Sequence, residues 1–400
     1  MPTEQMQFGS GVSDDKNVEA ALQKGCDEVV SQLQGRPCHA AFLFISSLYR
    51  TDWQRAAQEV RRRLGNPLLI GCTGGGVLGK DQELEFTPAV SLAGAYLPRV
   101  NLHPFVIPPA DIQEDRGPGF WIEKLGATPG DDPIGVLLPE PFSCDCMRLI
   151  ESLKNAYPKM PLIGGLASGA DDATPNALFL NDEALEEGAV GVVFTGDVAL
   201  QTIVSQGCRP VGRPFIVTKA EDNVLLELAG VPAVEALRKL LINLSDQDKA
   251  LAQRALFVGV VMNEQKEKFR RGDFLIRNLI GMDPASGALA IGDKIRVGQT
   301  VQFQVRDADT SKEDLQHLLQ EQSPGFQNSP SAGGLLFSCL GRGRDLYGEP
   351  HYDIRAIQSA IGNRPIAGFF CNGEIGPVGG RNFIHGFTSS LGLFRHKSGF

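Results

Sequence analysis

Three stretches of the chain repeat one order of elements, and this repetition constrains the fold more than any other feature of the sequence. Each begins with an apolar strand and a helix, and continues with a proline-led strand, a loop of small residues and a return strand. The proline-led strands and their loops read PLLIGCTGGG at 67–76, PLIGGLASG at 161–169 and PIAGFFCNG at 365–373. The pattern predicts three diverged copies of one unit.

The order strand–helix–strand favours parallel pairing, so that both strands end at the same edge of a sheet. We therefore predict an α/β fold, with a mixed α+β arrangement as the alternative. It consists of repeated strand–helix–strand–strand units that form two packed modules with mainly mixed sheets. Ligands of α/β sheets bind at the carboxyl ends of the strands. The loops at 46–50, 139–146 and 340–344 should therefore lie beside the three small-residue loops, where we expect the function.

Several local signals give finer expectations. Capping-box patterns at 51–54 and 310–313 predict that helices begin at Thr51 and Thr310. The polar, Pro- and Ser-rich stretch 320–333 predicts an exposed loop, and the proline-containing stretch 101–119 predicts an irregular connection.

Bulk properties exclude several classes of protein. The formal net charge of −9 argues against a nucleic-acid partner, which requires a basic face. No apolar run approaches the roughly 18 residues of a membrane span, and no apolar signal segment opens the chain. The eight cysteines are scattered rather than arranged as a disulfide framework. We expect a reduced, cytoplasmic protein without membrane insertion.

Cofactor, metal and catalytic motifs are incomplete. The run GGGVLG at 74–79 has the spacing of a dinucleotide fingerprint but lacks the following helix and acidic residue, so it predicts a turn. Cys144 and Cys146 are too close in sequence for a common zinc pair. Ser168, in GLASG, misses the spacing of a hydrolase nucleophile. We therefore predict no cofactor, no metal site and no catalytic residue.

The stretch GRGRD at 341–345 is more specific. Arg342 and Arg344 lie on a glycine-containing loop and offer planar guanidinium groups to a carboxylate or phosphate. Glu374, on the neighbouring loop, is a partner for either arginine, so ligand recognition and a structural ion pair both stay open. Arg277 alternates with apolar neighbours in DFLIR and is expected to face away from them.

Cys339 and Cys371 end strands that the repeat makes neighbours. They are either a redox pair or buried small hydrophobic residues, and we favour the second interpretation. Cys72 occupies the corresponding loop of the first copy, and the same preference applies to it.

Longer stretches carry a family resemblance. The runs FSCLGRGRDLYGEP at 337–350, RPIAGFFCNGEIGPVGGRNFIHGFTSSLGLF at 364–394 and GDFLIRNLIGMDPASGALAIGDKIRVGQTVQFQVRDA at 272–308 resemble the carboxyl-terminal half of FIST proteins. The runs PLLIGCTGGGVLG and PLIGGLASGADD resemble the amino-terminal half. The resemblance implies a FIST amino-terminal module at 36–228 and a FIST carboxyl-terminal module at 229–395, after a partly helical lead segment at 1–35.

The resemblance also implies a cytoplasmic sensory protein of signal transduction that binds a small molecule, amino acids being the proposed class. Because the two modules leave no room for an output domain, we expect a freestanding receptor that signals through an unknown protein partner. The candidate ligand-binding residues are Arg342, Arg344, Asn372, Gly373, Glu374, Arg277, Cys339 and Cys371. Secondary candidates in the other loops are Cys72, Thr73, Gly74 and Ser168.

In this hypothesis Arg342 or Arg344 takes a ligand carboxylate, and Glu374 with Asn372 takes an amine or hydroxyl group. Two alternatives stay open. One is an enzyme in which Cys371 or Cys339 is the nucleophile and Glu374 the acid or base. The other is an adaptor that binds only protein.

Overall fold

The computed structural model describes residues 5–114, 116–171, 174–328 and 330–397. The chain forms two compact units. The first contains the chain up to residue 204, residues 316–384 and the chain from residue 388, and the second contains residues 205–315 and 385–387. The predicted α/β character with mainly mixed sheets is confirmed. Within the described ranges, no helix is both long and apolar enough to cross a membrane.

The first unit contains three repeats, each longer by a leading strand and helix than the sequence pattern suggests. The first repeat comprises β1 (Gln7–Ser13), α1 (Val18–Leu33), β2 (Ala40–Ser46), α2 (Trp53–Arg63), β3 (Leu68–Gly74), β4 (Gly76–Gly79), β5 (Gln82–Glu85) and β6 (Val90–Tyr96). The second comprises β7 (Val100–Ile107), α3 (Pro109–Gln113), α4 (Pro118–Leu125), β8 (Ile134–Pro139), α5 (Cys146–Ala156), β9 (Leu162–Gly165), β10 (Leu178–Leu180), β11 (Glu183–Leu185) and β12 (Ala189–Gly196).

The third repeat begins with β13 (Ala199–Ser205) and is then interrupted by the second unit. The elements of the interruption are β14 (Cys208–Pro210), β15 (Phe215–Glu221), β16 (Val224–Leu228), β17 (Val231–Pro232), α6 (Ala233–Asn243), α7 (Asp246–Arg254), β18 (Leu256–Val261), β19 (Phe274–Asp283), β20 (Ala288–Ile291) and β21 (Thr300–Arg306). The repeat resumes with α8 (Ala308–Asn328), β22 (Gly333–Cys339), α9 (Arg344–Tyr347), α10 (Tyr352–Ile361), β23 (Ile366–Cys371), β24 (Glu374–Val378), β25 (Arg381–His385) and β26 (Ser389–Arg395).

Each repeat supplies the centre of one six-stranded sheet. The strand orders are β1-β6-β2-β3-β10-β11, β7-β12-β8-β9-β24-β25 and β13-β26-β22-β23-β4-β5. The central pairs β2–β3, β8–β9 and β22–β23 are parallel, as the strand–helix–strand order predicts. The hairpin after each second strand joins the sheet of a different repeat: β4–β5 joins the third sheet, β10–β11 the first and β24–β25 the second. The repeats thus exchange hairpins in a cycle, and each sheet is completed by another repeat.

One glycine in each second parallel strand permits close contact with the first. These glycines occupy equivalent register positions opposite a leucine of the paired strand. A Cβ at Gly71, Gly164 or Gly368 would lie 1.9, 1.8 or 1.8 Å from the carbonyl oxygen of Leu43, Leu137 or Leu336. No side chain fits at such distances. The three proline-led motifs therefore share a glycine because the carbonyl oxygen of the paired strand occupies the space of a Cβ.

Aromatic side chains from the three sheets meet in one buried core. Phe44, on the first sheet, stacks on Phe369 of the third with ring centroids 5.0 Å apart. Phe194, on the second sheet, packs against Phe394 of the third at 5.5 Å. All four rings are fully buried in the same apolar cluster. Because this core needs residues from every repeat, the repeats form one unit rather than three.

The second unit is antiparallel throughout. Strand β18 pairs with β21 as well as with β19, so six strands, β21-β15-β16-β20-β19-β18, close into a ring. The closed ring leaves no edge among these strands. Apolar residues of α6 and α7, among them Leu237 and Ala252, pack into the same buried cluster as the strands.

The predicted module boundaries, 36–228 and 229–395, follow the order of the chain, whereas the compact units are assembled from separated segments. The predicted lead segment forms β1 and α1 over its described part, 5–35, and both elements belong to the first unit.

Two predicted irregular stretches are regular instead. Helix α8 runs through most of 320–333, with Pro324 inside it, because its buried side chains Leu319 and Phe326 are two turns apart and continue the apolar face. Residues 100–107 form β7, which is the edge strand of its sheet. An edge strand tolerates Pro104, which has no backbone N–H to donate. Residues 115 and 329 lie outside the described residues.

The predicted helix starts are also corrected. Helix α2 is capped by Asp52, whose carboxylate accepts the N–H of Arg55 at 3.0 Å. In α8 the carboxylate of Asp307 accepts the N–H of Thr310 at 2.7 Å. The threonines were the expected caps, but carboxylates occupy the capping geometry, and a negative charge also suits a helix amino terminus.

Candidate ligand site at the strand-end loops

The small-residue loops of the three repeats are hydrogen-bonded to one another. The hydroxyl of Ser168 donates to the carbonyl of Phe370 at 2.5 Å and accepts the N–H of Gly75 at 2.9 Å. The N–H of Leu166 donates to the carbonyl of Gly373 at 3.0 Å. One serine therefore joins the loops of all three repeats at the edge where their strands end.

The loop of the first repeat is held by backbone contacts. Thr73 exchanges two hydrogen bonds with Ala177, through its N–H at 2.9 Å and its hydroxyl at 3.0 Å, and its carbonyl accepts the N–H of Ser168 at 3.2 Å. Gly169 has φ of +89°, and a Cβ there would lie 3.0 Å from the carbonyl of Gly74. The backbones of two loops thus touch where only a glycine fits both the space and the conformation.

Arg342 is fully buried in an ion pair. Its Nε donates to Asp353 Oδ2 at 2.7 Å and its Nη2 to Asp353 Oδ1 at 3.0 Å. The Tyr347 hydroxyl accepts from Nη2 at 2.6 Å and donates to Asp353 Oδ1 at 2.7 Å. Burial raises the pKa of this tyrosine. The guanidinium is therefore engaged in a buried ion pair, but its partner is Asp353 and not Glu374, which the sequence suggested as the partner of either arginine.

A second carboxyl group lies against this pair. Glu83 comes from the exchanged hairpin β4–β5, and its Oε1 accepts the N–H of Ile354 at 2.9 Å. Burial, and then the charge of Asp353, raise its pKa to about 8. Its Oε2 is buried and has no hydrogen-bond partner among the described residues. The Glu83 N–H donates to His351 Nδ1 at 2.9 Å, and burial lowers the pKa of this histidine.

Glu374 is fully buried and is the first residue of β24, directly after the loop of the third repeat. Its Oε2 accepts the N–H of Thr388 at 3.0 Å, and its Oε1 accepts from the Gly373 N–H at 3.3 Å and the Cys371 thiol at 3.5 Å. Burial raises its pKa to about 8, although these hydrogen bonds and the charge of Arg342 favour the ionised form. At neutral pH Glu374 is therefore mainly a neutral acid.

The three candidate cysteines are buried. Cys72 and Cys371 belong to the central apolar core, and Cys339 pairs in register with Cys371. Burial raises the pKa of the Cys72 thiol and of the Cys371 thiol well above 9. For Cys371 the neighbouring Glu374 raises the pKa further. The Cys72 and Cys371 thiols are therefore neutral near pH 7, which does not suit a nucleophile.

Only two of the third repeat's polar candidates present their side chains to solvent, namely Arg344 and Asn372. The backbone N–H of Arg344 donates to Glu85 Oε1 at 3.0 Å. Gly343, before it, has φ of +74°, and a Cβ there would lie 2.5 Å from the Glu85 carboxylate oxygens. The glycine therefore lets the backbone close on Glu85 while the arginine side chain stays at the surface.

Arg277 belongs to the second unit. It is buried on β19, where its Nε donates to Asp293 Oδ2 at 2.6 Å and its Nη1 to the Ile276 carbonyl at 3.2 Å. Arg277 is thus an ion-paired residue of the second unit, and it takes part in none of the hydrogen bonds described above for the strand-end loops of the first unit.

Sequence reasoning missed the acidic partners Glu83, Glu85 and Asp353 and the phenol of Tyr347. Tyr347 and Asp353 follow the GRGRD stretch closely, so an aspartate in the first turn of α10 was an available signal. Glu83 and Glu85 had none, because the hairpin that carries them joins the sheet of another repeat. Among the described residues, no group of three or more His, Cys, Asp or Glu side chains could hold a metal ion.

Comparisons with known proteins identify the family. The family model of the FIST N domain matches residues 39–231, and that of the FIST C domain matches residues 233–377. An uncharacterized protein of Mycobacterium tuberculosis is 36% identical over 389 residues, covering 97% of this chain and 100% of the relative. An uncharacterized protein of Mycobacterium bovis is 34% identical over 391 residues, covering 97% of this chain and 99% of the relative.

Solved structures show a more distant similarity. Two structures of cyanuric acid hydrolase, one of them from A. caulinodans, each align with 98% of this chain and 100% of their own. The identities are 8% and 9%, and the TM-scores are 0.36 and 0.32. Similarity at this level does not establish a shared activity.

Proposed function

Since the chain belongs to the FIST family, whose domains are generally sensory, we propose that it is a signal-transduction protein that binds a small carboxylate-bearing metabolite, such as an amino acid. The proposed site is the edge of the first unit where the strand-end loops meet. The observation that carries the proposal is the convergence of these loops, which Ser168 joins through its bonds to Gly75 and Phe370. A ligand at this edge lies where the loops of the three repeats are hydrogen-bonded to one another.

Arg344 and Asn372 are the proposed ligand contacts. Both side chains are exposed, and they follow the adjacent parallel strands β22 and β23. The Arg344 guanidinium suits a carboxylate, which it binds through two parallel hydrogen bonds. The Asn372 amide suits an amine or hydroxyl group of the same ligand. Arg342 has a different role in this proposal, because its pair with Asp353 fixes the loop that carries Arg344.

Glu374 is the proposed sensing element behind this surface. Its Oε1 accepts the N–H of Gly373, the residue after Asn372. A ligand that shifts Asn372 therefore changes a hydrogen bond to a buried acid whose pKa of about 8 is close to neutrality. Its other oxygen accepts the N–H of Thr388, the residue immediately before β26. A change at the loop thus reaches the start of β26, a strand of the third sheet, which fits a switch that a ligand biases.

The output of the receptor is proposed to be a separate signalling protein in the cytoplasm. The enzyme alternative has weaker support, because the Cys371 thiol is buried and its pKa is raised. The adaptor alternative is an outcome of the test below, since an adaptor keeps its partner without any small molecule.

The test is a binding screen of the full chain against amino acids, hydroxy acids and dicarboxylates, with thermal shift followed by calorimetry. We expect at least one carboxylate ligand, with an affinity that falls roughly tenfold or more in Arg344→Gln and in Asn372→Ala because each change removes a direct contact. Arg381→Gln, an exposed arginine on β25, is the charge-matched control and should bind normally. The absence of any ligand, or equal binding by all variants, contradicts the proposal.

A further inference from the structure

A cleft of 470 Å³ lies in the second unit between α6 and the strands β15 and β16. Its floor is apolar and consists of the buried residues Phe215, Leu228, Ala236 and Leu240. Small-molecule sites are typically clefts of about 300 to 1,000 Å³ with mainly apolar walls and a few polar groups. The size and the floor of this cleft match that description.

The mouth of the cleft is basic. The Arg213 guanidinium lies 5.6 Å from the ring centroid of Phe215, and it has no acidic partner among the described residues. Lys239 is also at the mouth, with its Nζ 2.7 Å from Glu235 on the same helix. No acidic side chain is among the lining residues. The cleft therefore combines an apolar floor with an arginine whose charge is available to an anion.

We propose that this cleft binds a small amphipathic carboxylate, with its aliphatic or aromatic body on the apolar floor and its carboxylate on Arg213. Burial of the body supplies affinity in proportion to the apolar area removed from water. The guanidinium fixes the orientation by a charge-assisted hydrogen bond. A free amino acid is a poor ligand here, because its ammonium group finds no carboxylate in the lining.

This site is distinct from the strand-end loops and does not depend on the function proposed for them. Its residues belong to the second unit, and none of them is a contact of the first site. The ligand class also differs, because the strand-end site offers polar groups for a zwitterion, whereas this cleft offers an apolar floor and a basic mouth.

The experiment is calorimetric titration of the full chain with octanoate, 1-octanol and octylamine. Octanoate should bind most tightly and octylamine least, because the mouth is positively charged. Arg213→Gln should weaken octanoate binding roughly tenfold, the loss expected for one hydrogen bond to a charged group, while leaving 1-octanol unchanged. Arg238→Gln removes the same charge from α6 without lining the cleft, and its affinity for octanoate should match that of the unmodified protein.

Two further variants separate the sites. Val231→Phe enlarges a half-buried lining residue and should weaken both octanoate and 1-octanol. Arg344→Gln should leave octanoate binding unchanged. The proposal is overturned by the absence of octanoate binding, by octanoate binding that Arg213→Gln does not alter, or by binding that depends on Arg344.

Discussion

The substitution Glu374→Gln removes the titratable carboxyl group of the proposed sensing element. The carboxyl group is fully buried, and its pKa is raised from 4.5 to about 8, mainly by burial. Between pH 4.5 and about pH 8, the Glu374 carboxyl group is therefore protonated in the folded protein and ionised in the unfolded chain. Stability from this group is fully present below pH 4.5 and is lost as pH rises through about 8.

The magnitude follows from the size of the shift. Each pH unit inside the window changes the free energy of unfolding by about 1.4 kcal/mol per proton, so the wild type should lose roughly 2 kcal/mol between pH 6 and pH 8 from Glu374. Glu83, whose pKa is also about 8, titrates in the same window. Because Glu83 is present in both proteins, its contribution cancels in the difference between the variant and the wild type.

The assay is urea unfolding of both proteins at half-unit steps from pH 5.5 to 8.5. Glutamine does not titrate, so the stability of Glu374→Gln relative to the wild type should rise with pH, by about 2 kcal/mol between pH 6 and pH 8. Glu123→Gln, at an exposed position, is the matched control for the loss of a carboxyl group. A difference that stays flat over the whole range refutes the assignment of a neutral buried acid.

Three further variants or reagents probe the surrounding structure. Arg342→Met should lower the free energy of unfolding by about 3 to 5 kcal/mol because Asp353 is left buried without its counter-charge, and adding Asp353→Leu should restore most of the loss; equal losses in the single and double variants contradict this. Gly71→Ala should cost about 3 kcal/mol or more, or prevent folding, because its Cβ overlaps a carbonyl oxygen, whereas Gly119→Ala, with open space around it, should be nearly neutral in thermal melts. Cys371 should resist iodoacetamide at pH 7.5 in the native protein and react once urea unfolds it, and fast native labelling would contradict the raised pKa.

The sequence predicted the parts of the fold that depend on local order. The parallel strand pairs and the helices between them follow from an apolar strand, a helix and a proline-led strand in succession. The glycines at 71, 164 and 368 are part of the quoted motifs. Each is required because a carbonyl oxygen of the paired strand leaves no space for a side chain, and this contact can be identified only once the strand register is known.

The exchange of hairpins was not predictable from local order. Hairpin β4–β5 follows β3 in the chain and pairs with β23, almost 300 residues later. Neither the polarity nor the spacing of the hairpin residues identifies β23 as the partner strand. The proximity of Glu83 to Asp353 therefore could not be predicted from the sequence. For the same reason Arg342 was a candidate ligand contact in the sequence, while the folded chain surrounds it with Asp353 and Tyr347.

Helix α8 shows a second limit. Its carboxyl-terminal part is rich in Gln, Ser, Pro and Gly, which favours a loop when single residues are weighed. The helix nevertheless continues, because Leu319 and Phe326 bury their side chains two turns apart and Gln322 accepts a hydrogen bond from Gln201 at 2.6 Å. Tertiary packing overrides the local preference here.

The most direct test of the central claim is amide hydrogen exchange on the full chain, followed by mass spectrometry, with and without the carboxylate that gives the largest thermal shift. If one ligand site is formed by the loops of all three repeats, exchange should slow at 73–76, 166–169 and 372–375 together, and the effect should disappear in Arg344→Gln. Protection confined to a single loop, or to the second unit alone, would contradict a shared strand-end site.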